Sequence, residues 1–340
     1  MSLLAVDIGR GTQDILVFEK NKPVENSTKF VLPSPNVVVA GKIGLVTRQK
    51  KPLFLSGAVM GGGANVQAIA RHLRAGLPVY ATPAAAATIH DSLSRVTAMG
   101  ITITDTPPWD AAEVVTTDYM ERELREMFAF FGIPYPNNCA FALQDHGFSP
   151  EKSNRVFRFE MIKSALMQGD WQISALIHDP PLPGMSRMHA LRDQAPGALV
   201  IDTGPAAILG ALCDPSVRKH QENGVVIVNA GNGHTLGVSV KGEEIYGIFE
   251  HHTATLDRDS LHAFVRKLCN ASLTGKEIFN EGGHGAVVHR PLATECIAAT
   301  GPNRRKLLPD VYQAAPFGDM MLSGSFGIIS AWKRLRGMLP

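Results

Sequence analysis

Leu3-Leu4-Ala5-Val6-Asp7-Ile8-Gly9-Arg10-Gly11-Thr12-Gln13-Asp14-Ile15-Leu16-Val17-Phe18 is an apolar run, a glycine turn and a second apolar run. A near copy follows some 220 residues later: Val225-Val226-Ile227-Val228-Asn229-Ala230-Gly231-Asn232-Gly233-His234-Thr235-Leu236-Gly237-Val238-Ser239-Val240. Each copy predicts a strand, a tight turn and a return strand. Glycines at the turn let backbone N–H groups approach an anion with no Cβ in the way. An ordinary hairpin would share the pattern of either copy alone. Two copies in one chain predict related halves whose turns face each other across a cleft and hold a polyphosphate.

The rest of the chain sets bounds on that expectation. It has 340 residues, enough for two domains. The 33 basic and 31 acidic residues give a net charge of +2 with no basic tract, so nucleic acid is not an expected partner. No apolar run approaches the roughly 20 residues of a membrane helix. The N-terminus lacks a signal-type pattern, so no membrane partner and a cytoplasmic location are expected. Cys139, Cys213, Cys269 and Cys296 are far apart and form no close thiolate set for an iron–sulfur cluster. Buried reduced thiols are the simpler reading.

Strand-like segments at 3–9, 13–18, 29–40, 54–59, 79–81, 101–104 and 139–143 alternate with helical patterns at 66–73, 84–96 and 117–131. Residues 151–168 and 184–193 read as mixed helix and loop. After a strand at 198–201 comes a helix at 206–213. Strands at 225–230, 235–240 and 244–249 follow, then a helix over 255–270, a strand at 296–299 and a small-residue helix over 319–335. This alternation is that of an α/β protein.

Five segments carry a wider resemblance. They are Asp7 to Thr12, Asp202-Thr203-Gly204-Pro205 with its apolar helix, Asn229 to Thr235, Ala299-Thr300-Gly301-Pro302-Asn303-Arg304-Arg305, and Phe317-Gly318-Asp319 with the last helix. Their order resembles that of the superfamily of actin, heat-shock chaperones and sugar kinases. The resemblance implies an α/β, two-domain actin-like ATPase (ribonuclease H-like) fold, with a duplicated βββαβαβα core and insertions in the first domain. It places domain I at 1–222, domain II at 223–318, and in 319–340 a helix returning to the domain interface. It implies ATP and Mg²⁺ as ligands. Gly204 to Leu212, Asn154 to Glu160 and Phe317 to Met321 also resemble a prokaryotic family often labelled pyruvate formate-lyase activating enzymes. Enzymes of that name need a CxxxCxxC triplet, which this chain lacks.

On the superfamily pattern Asp7 is the candidate metal ligand. Asp7, Asp202, Asn229 and His234 are candidate catalytic groups. Gly9, Gly11, Thr12, Gly231, Gly233 and Thr235 would hold phosphates, and Gly301 and Arg304 would flank the nucleoside. Asp202 reads either as a group that orients a nucleophile or as a plain helix N-cap. Asn229 stands where the superfamily has Asp, which puts strong hydrolysis in question. His234 stands where a small residue is usual and could donate to phosphate or carry a proton. Arg155, Arg158 and Arg187 could grip a small anionic substrate; salt bridges are the alternative. Asp145, His146, His251 and His252 are polar enough to raise the question of a metal, though their spacing does not support one. Gly61-Gly62-Gly63 before a helix reads as an anion loop or a simple turn. The expected activity is phosphoryl transfer to a small acceptor, or ATP hydrolysis coupled to domain closure. The alternative is a non-hydrolysing nucleotide or metabolite sensor. A homodimer is a candidate assembly.

Overall fold

In the computed structural model, residues 1–151 and 153–338 are described. Three strands open the chain: β1 (Ser2–Ile8), β2 (Thr12–Glu19) and β3 (Thr28–Pro33). A separate α/β unit then interrupts the sheet with β4 (Leu53–Gly57), β5 (Val79–Ala81), β6 (Ile101–Ile103) and β7 (Ala112–Thr116). The first sheet resumes at β8 (Asn138–Leu143) and ends at β9 (Leu199–Ile201). The second half supplies β10 (Val225–Ala230), β11 (His234–Lys241), β12 (Glu244–His252), β13 (Gly285–Val288), β14 (Ile297–Thr300) and β15 (Tyr312–Gln313).

The strand order decides the fold. The first sheet runs β3-β2-β1-β8-β9 and the second β13-β12-β11-β10-β14-β15. In each, a strand and its hairpin partner are antiparallel and the next two strands lie parallel to the first. Apart from β13 added at one edge, the two sheets repeat one 3-2-1-4-5 plan, the duplicated core of an actin-like fold. The central strands are apolar on both faces because helices cover both sides: Leu3 to Val6 and Val225 to Val228 are essentially inaccessible. The inserted sheet, β6-β5-β4-β7, is all parallel and keeps its own core around Val39, Ile43, Leu53 and Ile69.

Two helices cross between the sheets. Thr203–Ala211 follows β9, and Ser323–Leu335 closes the chain. Their backbones touch: a Cβ at Gly210 would overlap the Ser323 carbonyl, and one at Gly327 the Ala206 carbonyl. Larger residues at either position would push the helices apart.

Some expected elements differ. The strand predicted over 29–40 stops at Pro33, and Pro35–Arg48 is a helix. Pro35 at the first helical turn starts it, and tertiary packing overrides the β-branched Val37-Val38-Val39. The helix expected over 84–96 is two short ones, Pro83–Ala87 and Leu93–Ala98. Residues 154–168 form one continuous helix. No helix among the described residues is long and apolar enough to cross a membrane.

Candidate functional site: a cleft between two matching turns

The two glycine turns close in the same way. Gly9 N–H donates to the Thr12 carbonyl at 2.9 Å, and Gly231 N–H to the His234 carbonyl at 3.0 Å. The match equates Asp7 with Asn229 and Thr12 with His234. Asp7 lies beside Ala142 of β8, as Asn229 lies beside Thr300 of β14. A cleft of about 460 Å³ opens between the turns. Its walls include Asp7, Gly9, Arg10, Thr12, Asn229, Gly231, Gly233, His234 and Gly301. Across it a Cβ on Gly233 would touch the Arg10 side chain at 3.7 Å. The loop after β14 clips the second turn: Asn303 donates to the Ala230 carbonyl through its backbone and to the Gly231 carbonyl through its amide, both at 3.0 Å.

Asp7 forms the floor. Its Oδ1 accepts from the Thr203 hydroxyl at the start of the crossing helix, and its Oδ2 lies against Gly324 of the closing helix. Burial, with Asp14 nearby and despite the Thr203 hydrogen bond, raises its pKa to about 7. Asp14, also in the wall, is likewise raised to about 7, chiefly by burial. Two carboxylates short of positive charge suit a divalent cation.

Four expected residues do not line the cleft. Gly11 lies at the turn tip, where its carbonyl accepts from Ser34 N–H. Thr235 is fully buried, its hydroxyl paired with Thr253 at 3.0 Å. Successive strand residues face opposite ways, so His234 and not Thr235 takes the place of Thr12. Arg304 folds back, Nη1 donating to the Gly301 carbonyl at 3.1 Å. Asp202 caps the crossing helix by accepting from Gly204 N–H at 3.0 Å, and it also binds Arg158.

The three arginines considered for an anionic substrate are engaged by the protein. Arg158, 2% exposed, forks between Asp202 (2.6 and 3.0 Å) and Glu250 (2.7 and 2.8 Å) and donates to the Asp145 carbonyl at 2.7 Å. This bridge ties the first sheet to β12 of the second. Burial alone would raise the Glu250 pKa, but Arg158 holds it well below the carboxylate range. Arg187 pairs bidentately with Asp118 (2.6 and 2.9 Å) and donates to the Gln144 carbonyl. Arg155 donates to the Gly283 carbonyl and lies over the Phe279 ring. The glycine loop 61–63 lines the cleft, yet Gly61 N–H is taken by Asp118 and Ala64 N–H by Asn36.

Four imidazoles cluster on the wall beside the second turn. His234 has ring centroids at 4.7 Å from His252, 4.8 Å from His284 and 5.4 Å from His146. His146 Nε2 and His284 Nε2 are 3.2 Å apart. Burial lowers the pKa of His146 to about 2, of His284 to about 3 and of His234 to about 4, so all three are neutral. Glu250 stands behind, its Oε2 3.8 Å from His284 Nδ1 and its Oε1 accepting from Gln144. His251 points away: it stacks on Phe264 and meets the Thr255 hydroxyl. Asp145 accepts from Gly147 N–H and Met188 N–H and braces the loop. Sequence reasoning missed Asp14, Thr203, Glu250 and His284. The available signals were Gly282-Gly283-His284-Gly285, which brings an imidazole in on a tight loop, and the alternation of Glu250 with His252.

Comparison with solved structures returns distant likenesses. An inorganic polyphosphate/ATP-glucomannokinase from Arthrobacter sp. strain KM is 11% identical, covers 98% of each chain and has a TM-score of 0.37. The activator of 2-hydroxyisocaproyl-CoA dehydratase from Clostridium difficile, with bound ADPNP, is 8% identical over 99% of this chain and 98% of its own, with a TM-score of 0.37. A ROK hexokinase from Thermus thermophilus is 12% identical over 99% of this chain and 100% of its own, with a TM-score of 0.33. Scores this low do not decide the fold; the strand order does. No curated protein matches the chain. The family described as "Putative pyruvate format-lyase activating enzyme (DUF1786)" matches residues 60–306, well over half of the 340, and the chain belongs to it.

Proposed function

We propose that the cleft binds ATP with Mg²⁺ and either transfers a phosphoryl group to a small acceptor or hydrolyses the nucleotide as the halves close. One observation carries this reading: two glycine turns, closed by the same hydrogen bond, face each other across a cleft floored by the half-buried carboxylate of Asp7. Asp7 would hold the cation through water, and Thr12 and Gly233 would cradle phosphate oxygens, with Gly9 and Gly231, whose N–H groups close the turns, shaping the loops around them. Arg10, exposed at the turn tip, would meet the outer phosphates. Gly301, at φ +88°, leaves room for the nucleoside, and Arg304 stiffens that loop. When bound, Mg²⁺ supplies charge neutralisation to the phosphates. Asp202 acts on the site through Arg158. Residues 1–222 and 223–318 would move as lobes about the crossing helices.

Asn229 supports a second reading, binding without turnover, because it places a neutral amide where the first half has Asp7. Calorimetry with ATP and Mg²⁺, followed by assay of ADP and phosphate release, tests both. Binding with release supports the first reading, and binding without release to water or any acceptor supports the second. No heat and no thermal shift with ATP would overturn the nucleotide assignment.

A further inference from the structure

We propose that His146, His234 and His284 form a site for a divalent transition metal of the zinc type, set in the cleft wall and separate from Asp7. The three residues come from distant parts of the chain. His146 follows β8, His234 opens β11, and His284 precedes β13, held by its N–H on the Glu250 carbonyl at 2.9 Å. One nitrogen from each lies within 4.8 Å of the other two. Tetrahedral zinc with Zn–N bonds of about 2.05 Å separates its ligand nitrogens by about 3.3 Å. The His146 and His284 Nε2 atoms are already 3.2 Å apart, and the His234 nitrogen, within 4.8 Å of both, would have to swing inward to close the set.

Hydrogen bonding points the same way. His234 Nε2 is buried with no partner, as is His284 Nδ1. Three imidazoles facing one another, His284 buried and His146 and His234 half-buried, are poorly served as a hydrogen-bonded cluster, since only one contact among them reaches hydrogen-bond distance. As ligands they are well served. His284 would bind through Nε2 while its Nδ1 sits 3.8 Å from Glu250 Oε2, too long for a hydrogen bond but on the side where a carboxylate attracts a metal-polarised ring. Arg158 and Gln144 in turn fix Glu250. His146 and His234 line the cleft, so three protein nitrogens leave a coordination position toward it, where water or an anionic group would sit. Imidazole donors favour zinc, cobalt, nickel or ferrous ions over magnesium.

The test uses untagged full-length protein, Zn²⁺ and Co²⁺ as probes, and no nucleotide, so its result is independent of the ATP assignment. Expected are one equivalent of Zn²⁺ by elemental analysis after dialysis, a visible Co²⁺ spectrum of tetrahedral type, and no displacement by excess Mg²⁺. His284→Ala and His146→Ala should each weaken Zn²⁺ binding by more than the roughly 10–100-fold typical of outer-shell changes. His251→Ala, outside the cluster, should leave it unchanged. Should a variant misfold, the Co²⁺ spectrum of the wild-type protein decides alone. A sub-stoichiometric or octahedral Co²⁺ signal would overturn the site, as would Zn²⁺ affinity that survives in folded His284→Ala and His146→Ala.

Discussion

Replacing Arg158 with Met should cost the protein more than any surface substitution, and the cost should depend on pH with a definite sign. Arg158 makes four bonds of 2.6–3.0 Å to two carboxylates and one to a backbone carbonyl. Glu250 is 2% exposed and Asp202 13%. Met fills similar volume but leaves both acids without a cation. Removing one member of a buried ion set costs about 3–5 kcal/mol, because the remaining charge stays desolvated. At about 2 °C per kcal/mol for a large chain, Tm should fall by roughly 6–10 °C at pH 7.5. In the wild type, Arg158 depresses the Glu250 pKa below its ordinary 4.5. That contribution is complete above pH 4.5 and is lost only as pH falls below it. In the variant, burial acts unopposed and raises the folded-state pKa above the unfolded one. The folded variant then takes up protons first, so its deficit should shrink from pH 7.5 to pH 5. Urea unfolding followed by circular dichroism at both pH values measures this. A loss under about 1 kcal/mol, or a deficit that widens at pH 5, would refute the reasoning.

Asp7→Asn should make the metal-free protein more stable at pH 8. The Asp7 pKa of about 7, against an ordinary 3.8, means stability is lost as pH rises through that window. At about 1.4 kcal/mol per pH decade the upper bound is about 4 kcal/mol, and cleft water reduces it to about 1–2 kcal/mol. Thermal scans in EDTA should show the gain, and added Mg²⁺ should stabilise the wild type but not the variant. Asn229→Asp should raise Mg²⁺ affinity and lower metal-free stability, both readable by calorimetry and thermal shift. Gly327→Ala should cost about 1–3 kcal/mol or more by forcing the crossing helices apart. Gly41→Ala, in the helix Pro35–Arg48 with open space around it, should gain about 0.5–1 kcal/mol. Equal effects at Gly327 and Gly41 in parallel urea titrations would contradict the packing assigned to the helix crossing.

The repeated strand–glycine turn–strand pattern was legible because it is local. An apolar run, two glycines and a polar residue at the strand end specify a hairpin wherever they occur, and finding them twice implied two related sheets. Asp7, Gly9, Thr12, Asn229, His234 and Gly301 were readable as cleft residues for that reason. The side of the strand on which a residue falls depends on register. Thr235 was expected to hold phosphate alongside Thr12, yet it faces the core and His234 the cleft. Arg158 gave no local sign that its partners would be Asp202 and Glu250, 44 and 92 positions away. His146, His234 and His284 have no ligand-like spacing, because they come from one strand and two loops far apart in the chain. Sequence by itself determined what is set within a few residues: the hairpins and the Asp7/Asn229 asymmetry. Tertiary structure alone decided which charges and imidazoles meet, since that depends on how two sheets pack across helices that touch at glycine.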